Sequence, residues 1–418
     1  MAERDLDVVV FGASGVTGRR VAGYLAERSA SADFTWAAAA RDAGKLEREL
    51  AAEGVSAPES IVAELGDRDS LVAMASRARV VLNLVGPYTL YGEPVIEACV
   101  AGGAHYVDLT GEIPFVRRMI DTYGEAAAER GVKIVQVCGF EALPPDLSVM
   151  LAAETAGERF DEDLAEVDVV VTVTALPPKP RPSDLLSGGT SQSLAAAAAD
   201  DDSSSVTDPA LLVDDPEVRA AVRARSPIRL APRRGATGAV IAPMSPAAFI
   251  NPAVIHRSAA LRAGGKPEPF VYREGLAIAG PPVTLPFRFA AAGMVSGMQA
   301  GISAMTHASP SVRRNASKVL SRVLPSSGAG PQADRLEPWR WRMTTQATTS
   351  GGNEVTIDVD AEGHPGYLTT ARLLGEAGLM LADEGATPNL GGHLTPAAAL
   401  GSAHIDRFDH ARLHFSAA

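Results

Sequence analysis

Cysteine is nearly absent. Cys99 and Cys138 are the only two in 418 residues, too few for a disulfide framework or a cysteine-based zinc site, so a reducing cytoplasm is the expected compartment. The eight histidines show no paired metal-ligand spacing, and no Gly-x-Ser-x-Gly elbow occurs, which sets aside metal and serine-hydrolase chemistry. The opening Met1-Ala2-Glu3-Arg4-Asp5 carries acids and runs directly into an apolar segment, so no secretory signal is expected. Basic charge is also short: 38 Lys+Arg face 50 Asp+Glu, a net of −12, whereas a nucleic-acid binder needs a basic footprint. What is present is a globular composition, 46% hydrophobic and 21% charged, over a length that suits two to three domains of about 150 residues.

The first 140 residues alternate short apolar runs with amphipathic stretches, the pattern of a parallel sheet with crossover helices. Strands are expected at Leu6–Phe11, Thr35–Ala40, Ile61–Ala63, Val80–Val85, His105–Leu109 and Lys133–Val137, with helices between them. Runs of four to six apolar residues without alternation imply burial on both faces. After Leu143-Pro144-Pro145-Asp146 a helix is expected to reach about Glu158. Val167–Ala175 then alternates and is β-branched, which predicts a strand of a second sheet. Ser191–Ala199 reads as helical. Met343–Thr349 and Glu354–Val359 alternate around Ser350-Gly351-Gly352-Asn353, a hairpin signature. Tyr367–Ala382 reads as an amphipathic helix and Pro396–Ile405 as another. The fold class is therefore α/β: an N-terminal Rossmann domain with a doubly wound parallel sheet over 1–145, and an inserted α+β second domain with its own mixed sheet over 146–365.

The turn from first strand to first helix reads Gly12-Ala13-Ser14-Gly15-Val16-Thr17-Gly18. Gly12 permits the tight turn, Gly15 admits a pyrophosphate to the backbone, and Gly18 lets the helix pack close on the sheet, while free N–H groups at the helix start face the phosphates. Following an apolar strand inside a βαβ pattern, the triplet predicts dinucleotide binding. The second strand ends Ala40-Arg41-Asp42, with Lys45 one turn on. An acid closing that strand would accept a ribose 2′-hydroxyl, and an arginine suits a 2′-phosphate. Arg41 comes first and Asp42 is placed to cap the next helix, so NADP(H) is the expected cofactor.

At this point the chain resembles the saccharopine dehydrogenase-like oxidoreductases, and within them the trans-acting enoyl reductase branch. The matching stretches are Gly12–Gly18, Arg41–Leu46, Asn83–Tyr88, Gly103–Glu112, Cys138–Glu141, Ser187–Thr190, Pro365–Arg372 and Gly391–Ala397. The resemblance implies an NADP-type Rossmann domain, an inserted second domain, and C-terminal helices over 366–418 that pack back on the first. It also implies reduction of a carbon–carbon double bond in an acyl chain for lipid or polyketide biosynthesis, with a carrier-protein-borne substrate among the forms that fit. One departure is visible. The family often has Asp before Pro-Gly-Tyr, where this chain has His364.

The strand ends supply the candidates for chemistry, because a doubly wound sheet opens its crevice there. Asn83, Gly86, Pro87 and Tyr88 close the fourth strand beside the expected cofactor. Tyr88 or Tyr91 could face the nicotinamide, as a proton donor or as an aromatic wedge beneath the cofactor. Asp108 could orient a water or substrate, or cap the following turn. Glu141, after Cys138-Gly139-Phe140, is the carboxylate best placed where substrate and cofactor meet. Cys138 has no activating base in sequence and reads as a buried structural thiol. The donor to a substrate carbonyl oxygen has no signature here.

Charge is unevenly spread. Residues 218–333 hold 15 Lys+Arg against Glu268 and Glu274 alone, a net of +13 that leaves −25 for the remainder. The arginines from Arg219 to Arg234 follow the acidic run Asp200–Glu217, and mutual neutralisation across a folded loop is the plainer account. Phe289–Met305 is 17 residues without a charge, short of the roughly 20 a membrane span needs. A core helix, an acyl-binding wall, or an interfacial helix beside a cationic rim at Arg313, Arg314, Lys318 and Arg322 all fit. A cationic rim would suit an anionic partner or a peripheral membrane contact. A homodimer through the second sheet is also open. Two rival functions remain: a saccharopine-type amino-acid dehydrogenase, which would need arginines gripping substrate carboxylates, and a non-catalytic NADP-sensing or lipid-surface protein.

Overall fold

The computed structural model describes residues 4–179, 203–235, 238–244, 246–265, 267–309, 311–313, 315 and 333–417. The first half runs β1 (Leu6–Phe11), α1 (Val16–Ser29), β2 (Trp36–Ala40), α2 (Ala43–Ala52), β3 (Ser60–Val62), α3 (Arg68–Arg77), β4 (Ala78–Asn83), α4 (Tyr88–Tyr91), α5 (Glu93–Gly102), β5 (His105–Val107), α6 (Ile113–Glu129), β6 (Lys133–Val135) and α7 (Leu143–Phe160). Then come β7 (Leu164–Ala175), α8 (Pro216–Arg225), β8 (Arg233–Arg234), β9 (Val240–Ala242), α9 (Asn251–Arg262), β10 (Val271–Ile278), α10 (Leu285–Thr306), α11 (Ala333–Leu336), β11 (Arg340–Thr349) and β12 (Glu354–Glu362). The chain closes with α12 (Thr370–Ala382), β13 (Gly392–Leu394), α13 (Pro396–Leu400) and β14 (Leu413–Ala417).

Two seven-stranded sheets organise these elements. The first has the order β13-β6-β5-β4-β1-β2-β3 and every pairing in it is parallel. Its six N-terminal strands follow the doubly wound dinucleotide-binding order, and their fully buried runs, such as Val8 to Val10 and Ala37 to Ala39, reflect helices on both faces. The second sheet, β14-β12-β11-β7-β10-β9-β8, is mixed: β10 runs parallel to β7 and its other pairings are antiparallel. Its hairpin turns at Ser350–Asn353, with Gly352 at φ +88°. β12 alternates buried and half-exposed residues, one face against the core and one toward solvent. That outer face carries cross-strand ion pairs such as Arg342–Asp360 at 2.8 Å. One apolar core runs through both sheets, from Val8 and Leu82 to Val169 and Val359.

The C-terminal stretch serves both sheets. α12 packs against α1 and β4 and β13 extends the first sheet, but β14 pairs with β12 in the second. The structure also corrects two helices. Pro396–Leu400 ends at Gly401, φ +67°, and the chain resumes as a 3-10 turn over Ile405–Ala411. α12 is buried on all sides from Thr370 to Leu381, so it is no amphipathic surface helix. Its charged face is covered because it is paired: Glu376 accepts from Tyr24 Oη at 2.6 Å, Arg28 Nε at 3.3 Å and Arg407 Nε at 3.1 Å. The helix expected at Ser191–Ala199 and the Ser187–Thr190 motif lie outside the described residues.

Candidate functional site

The crevice opens at the carboxyl ends of β1, β2, β4, β5 and β6. Gly12 leaves β1 at φ +87°, and a Cβ there would stand 2.8 Å from Val85 Cγ2. A Cβ on Gly18 would stand 2.3 Å from the Gly12 carbonyl oxygen, so only glycine lets α1 start this close to the strand. Gly15 caps α1 without a side-chain hydrogen bond, which leaves the amide N–H groups of Val16, Thr17 and Gly18 for an anion. Ala13 is buried beneath the turn, while Ser14, Val16 and Thr17 are half-buried and Gly15 is exposed. At the end of β2, Asp42 Oδ1 accepts the Lys45 N–H at 2.8 Å and caps α2. The acid is thus committed to the helix, and the side chains of Arg41 and Lys45 are exposed beside the turn. This donor set fits a dinucleotide with a 2′-phosphate.

The other strand ends are tied together by a buried polar chain. Asn83 Nδ2 donates to Tyr106 Oη at 3.0 Å, and Asn83 Oδ1 accepts from Val85 N at 3.1 Å. Tyr106 Oη donates to Asp108 at 2.8 Å, Gln136 Nε2 donates to the same carboxylate at 2.8 Å, and Gln136 Oε1 meets His393 Nε2 at 2.8 Å. Asp108 also accepts from the backbone of Thr110 and Val137. Burial pushes its pKa up to about 6 against these hydrogen bonds. Asn83 and Asp108 have no exposed surface, and all their polar groups are engaged. They fix the strand ends and leave Asp108 no lone pair aimed at the crevice.

Tyr88 follows a cis Gly86–Pro87 peptide. It is buried, its hydroxyl donates back to the Asn83 carbonyl at 3.1 Å, and burial holds its pKa well above the usual phenol value. Glu112 accepts the backbone N–H groups of Tyr88 and Thr89 and the Thr89 hydroxyl, anchoring this turn. Of the two tyrosines only Tyr91, 41% exposed, presents open surface. Beyond β6, Val137 is held at φ +64°, a costly conformation for a β-branched residue. Cys138 is buried, with its thiol pushed far up by desolvation. His364 is buried between the rings of Trp339 and Tyr367.

Glu141 differs from its neighbours. It is half-buried, burial raises its pKa, and the only hydrogen bond opposing that rise comes from its own backbone. Its backbone carbonyl is tied through Asn251 to a buried cluster of three residues that no motif pointed to. Asn251, opening α9, donates through Nδ2 to the Glu141 carbonyl at 2.6 Å and to Glu274 Oε2 at 2.7 Å. Tyr272 Oη also donates to Glu274 Oε2, at 2.9 Å. Tyr272 and Glu274 are two apart on β10 and so share one face. Burial pushes the Glu274 carboxyl up to about 7. The available signal was compositional: Glu274 is one of two acids in the basic stretch.

The basic stretch itself is partly neutralised. Arg223 pairs with Asp208 at 2.5 Å, Arg233 with Asp168, and Arg257 with Asp214 at 3.0 Å. α10 is not a core helix. Arg288, Ala292, Gln299 and Thr306 form its buried stripe, while Phe287 is 77% and Met294 75% exposed. Arg313 is buried rather than on a rim; Arg314, Lys318 and Arg322 lie outside the described residues. Among the described residues no helix is long and apolar enough to cross a membrane.

Comparison with known proteins agrees with this geometry. Residues 8–135 match the saccharopine dehydrogenase NADP-binding domain. A candidate trans-acting enoyl reductase of Mycobacterium tuberculosis (strain H37Rv) is 34% identical over 419 residues, covering 97% of this chain and 95% of its own. The trans-acting enoyl reductase of Mycobacterium ulcerans is 33% identical over 420 residues, with 97% and 96% covered. Among solved structures, the apo saccharopine dehydrogenase (L-Glu forming) of Saccharomyces cerevisiae aligns at TM-score 0.51 and 12% identity over 98% of this chain and 99% of that one, a likeness of fold.

Proposed function

We propose that this chain, which belongs to the trans-acting enoyl reductases of the saccharopine dehydrogenase-like oxidoreductases, reduces a carbon–carbon double bond conjugated to the carbonyl of an acyl chain delivered by a partner assembly system. The observation that carries the reading is the placement of Glu141, a half-buried carboxyl with a raised pKa and no other side chain bound to it, at the strand end next to those bordering the glycine turn. In this reading residues 1–145, with the returning C-terminal elements, hold NADP(H), and 146–365 close over the acyl group. The first turn of α1 would hold the pyrophosphate, and Arg41 and Lys45 the 2′-phosphate.

NADPH, when bound, would supply the hydride for the carbon remote from the carbonyl. Burial disfavours the charged form of Glu141 and raises its pKa, which favours the proton-bearing acid. It releases that proton to the carbon next to the carbonyl and is reprotonated from solvent. Tyr88 and Asp108 act through position: Tyr88 closes the β4 end against the Asn83 carbonyl, and Asp108 holds β5 and β6 together through Tyr106, Gln136 and Val137. The saccharopine-type alternative is disfavoured because Arg257, beneath the crevice, is already spent on Asp214 and on the Leu212 and His393 carbonyls. The exposed face of α10 is the docking face for the acyl-bearing partner.

Fluorescence titration with NADPH and NADH, followed by turnover of enoyl thioesters and of α-ketoglutarate plus lysine, tests the reading. Preferential NADPH binding with enoyl turnover is expected. NADPH binding with turnover of the amino-acid pair alone would overturn it, and binding with no turnover would favour a sensor.

A further inference from the structure

Reduction of a conjugated thioester places negative charge on the carbonyl oxygen, so the site needs a donor there. Glu141 cannot serve both the carbon and the oxygen. One asparagine away, Asn251 bridging the Glu141 carbonyl and Glu274, the two oxygens of Glu274 are used very differently. Oε2 accepts from Tyr272 Oη and Asn251 Nδ2, which occupies it as an acceptor. Among the described residues Oε1, buried, has no hydrogen-bond partner, and the same is true of Asn251 Oδ1. Such orphaned polar atoms are rare inside proteins and costly. A buried carboxyl whose Oε2 already takes two donors would carry its proton on Oε1, which has no partner within hydrogen-bond distance among the described residues.

We propose that Glu274 is a neutral carboxylic acid whose Oε1–H receives the carbonyl oxygen of the acyl thioester, polarising it while Glu141 protonates carbon. The proposal rests on the reductase reading for its substrate but not for the state of the acid. Atoms balance: hydride and the Glu141 proton saturate the double bond, and Glu274 keeps its proton throughout. Burial is the main force on its titration, pushing it up to about 7. The groups that face it are few. Arg233 from β8 lowers it least of the contributors and is itself paired with Asp168. Tyr272 on β10 and Asn251 on α9 donate to it. Glu141 stands across Asn251, and Asp146 on α7 acts on Tyr272. A neutral acid and a second carboxyl, separated in role by environment, is a known solution for acid–base work at neutral pH.

Three proteins test this. In Glu274→Leu the donor is gone, and kcat for an enoyl thioester should fall about 10²–10³-fold with NADPH affinity unchanged. Glu274→Gln keeps an N–H donor of similar size but cannot titrate. It should stay within about 10-fold of wild type and lose the fall in activity that wild type shows as pH rises through about 7. Independently of turnover, the infrared carbonyl band of a protonated buried carboxyl should be present at pH 6, titrate away near 7, and vanish in Glu274→Gln. Wild-type turnover in Glu274→Leu, a Glu274→Gln enzyme as damaged as Glu274→Leu, or no such band assigned to Glu274 would each overturn the proposal. A wild-type protein that shows the band yet reduces no enoyl thioester would instead fail the reductase reading.

Discussion

Arg41 and Asp42 are adjacent, and the structure separates their work. Asp42 is consumed as a helix cap, so in the proposed reading the side chain left to meet the 2′-phosphate is cationic. Removing it should matter for NADPH alone. Arg41→Ala is expected to weaken NADPH binding about 10-fold, from a charge-assisted contact of roughly 1.5 kcal/mol or more, and to leave NADH binding unchanged in the same fluorescence titration. Asp108 illustrates the reverse case, a buried acid with a structural task. Its pKa rises from 3.8 to about 6 on folding, so the folded state binds that proton more tightly than the unfolded chain. Its contribution to stability is present below about pH 4 and is lost as pH rises through 6. Two units correspond to about 3 kcal/mol. Thermal unfolding of wild type should therefore lose stability from this source between pH 4 and 6, and Asp108→Asn should not show that component.

At the level of elements, α12 shows why pattern and burial part company. Arg372 and Glu376 lie among apolar residues at helical spacing, the pattern of an amphipathic helix. In the fold the polar side faces α1 and the C-terminal turn. Arg372 is met by Glu337 at 3.1 Å, and Glu376, with no exposure, by Tyr24, Arg28 and Arg407. Breaking one partner of a buried set strands the others. Glu376→Ala should cost about 3–5 kcal/mol in denaturant unfolding, far more than a surface glutamate. The strands β9, β10 and β13 escaped detection for a related reason. β9 and β13 are three residues long and carry no periodicity of their own, β13 depends on β6 far away in sequence, and the eight residues of β10 show no clean alternation of buried and exposed positions.

For the whole molecule, the net charge of −12 conceals two regions of opposite sign, and the basic one carries the most exposed apolar helix. α10 turns Phe287, Met294 and Met298 outward, 77%, 75% and 54% exposed, although solvent would favour polar residues there. Replacing all three by serine should change stability little, within about 0.5 kcal/mol per site. It should leave turnover of a small soluble thioester intact and reduce turnover of carrier-bound substrate. Equal rates on both substrates would show that this face meets no partner.

The cofactor half was legible because its determinants are local: an apolar strand, a glycine-spaced turn and a capping acid are contiguous, and their physics acts within a dozen residues. From sequence alone came the parallel sheet, the glycine cradle at Gly12–Gly18, the order Arg41 before Asp42, and Glu141 at a strand end. Tertiary structure decided the rest. It turned the Tyr88 hydroxyl back onto Asn83, saturated Asp108, and buried the charges of α12. It also brought Glu274, 133 positions beyond Glu141 in the chain, to the far side of one asparagine side chain. Hydrogen-bond partners and desolvation are set by which elements meet, and no spacing in the sequence encodes that meeting.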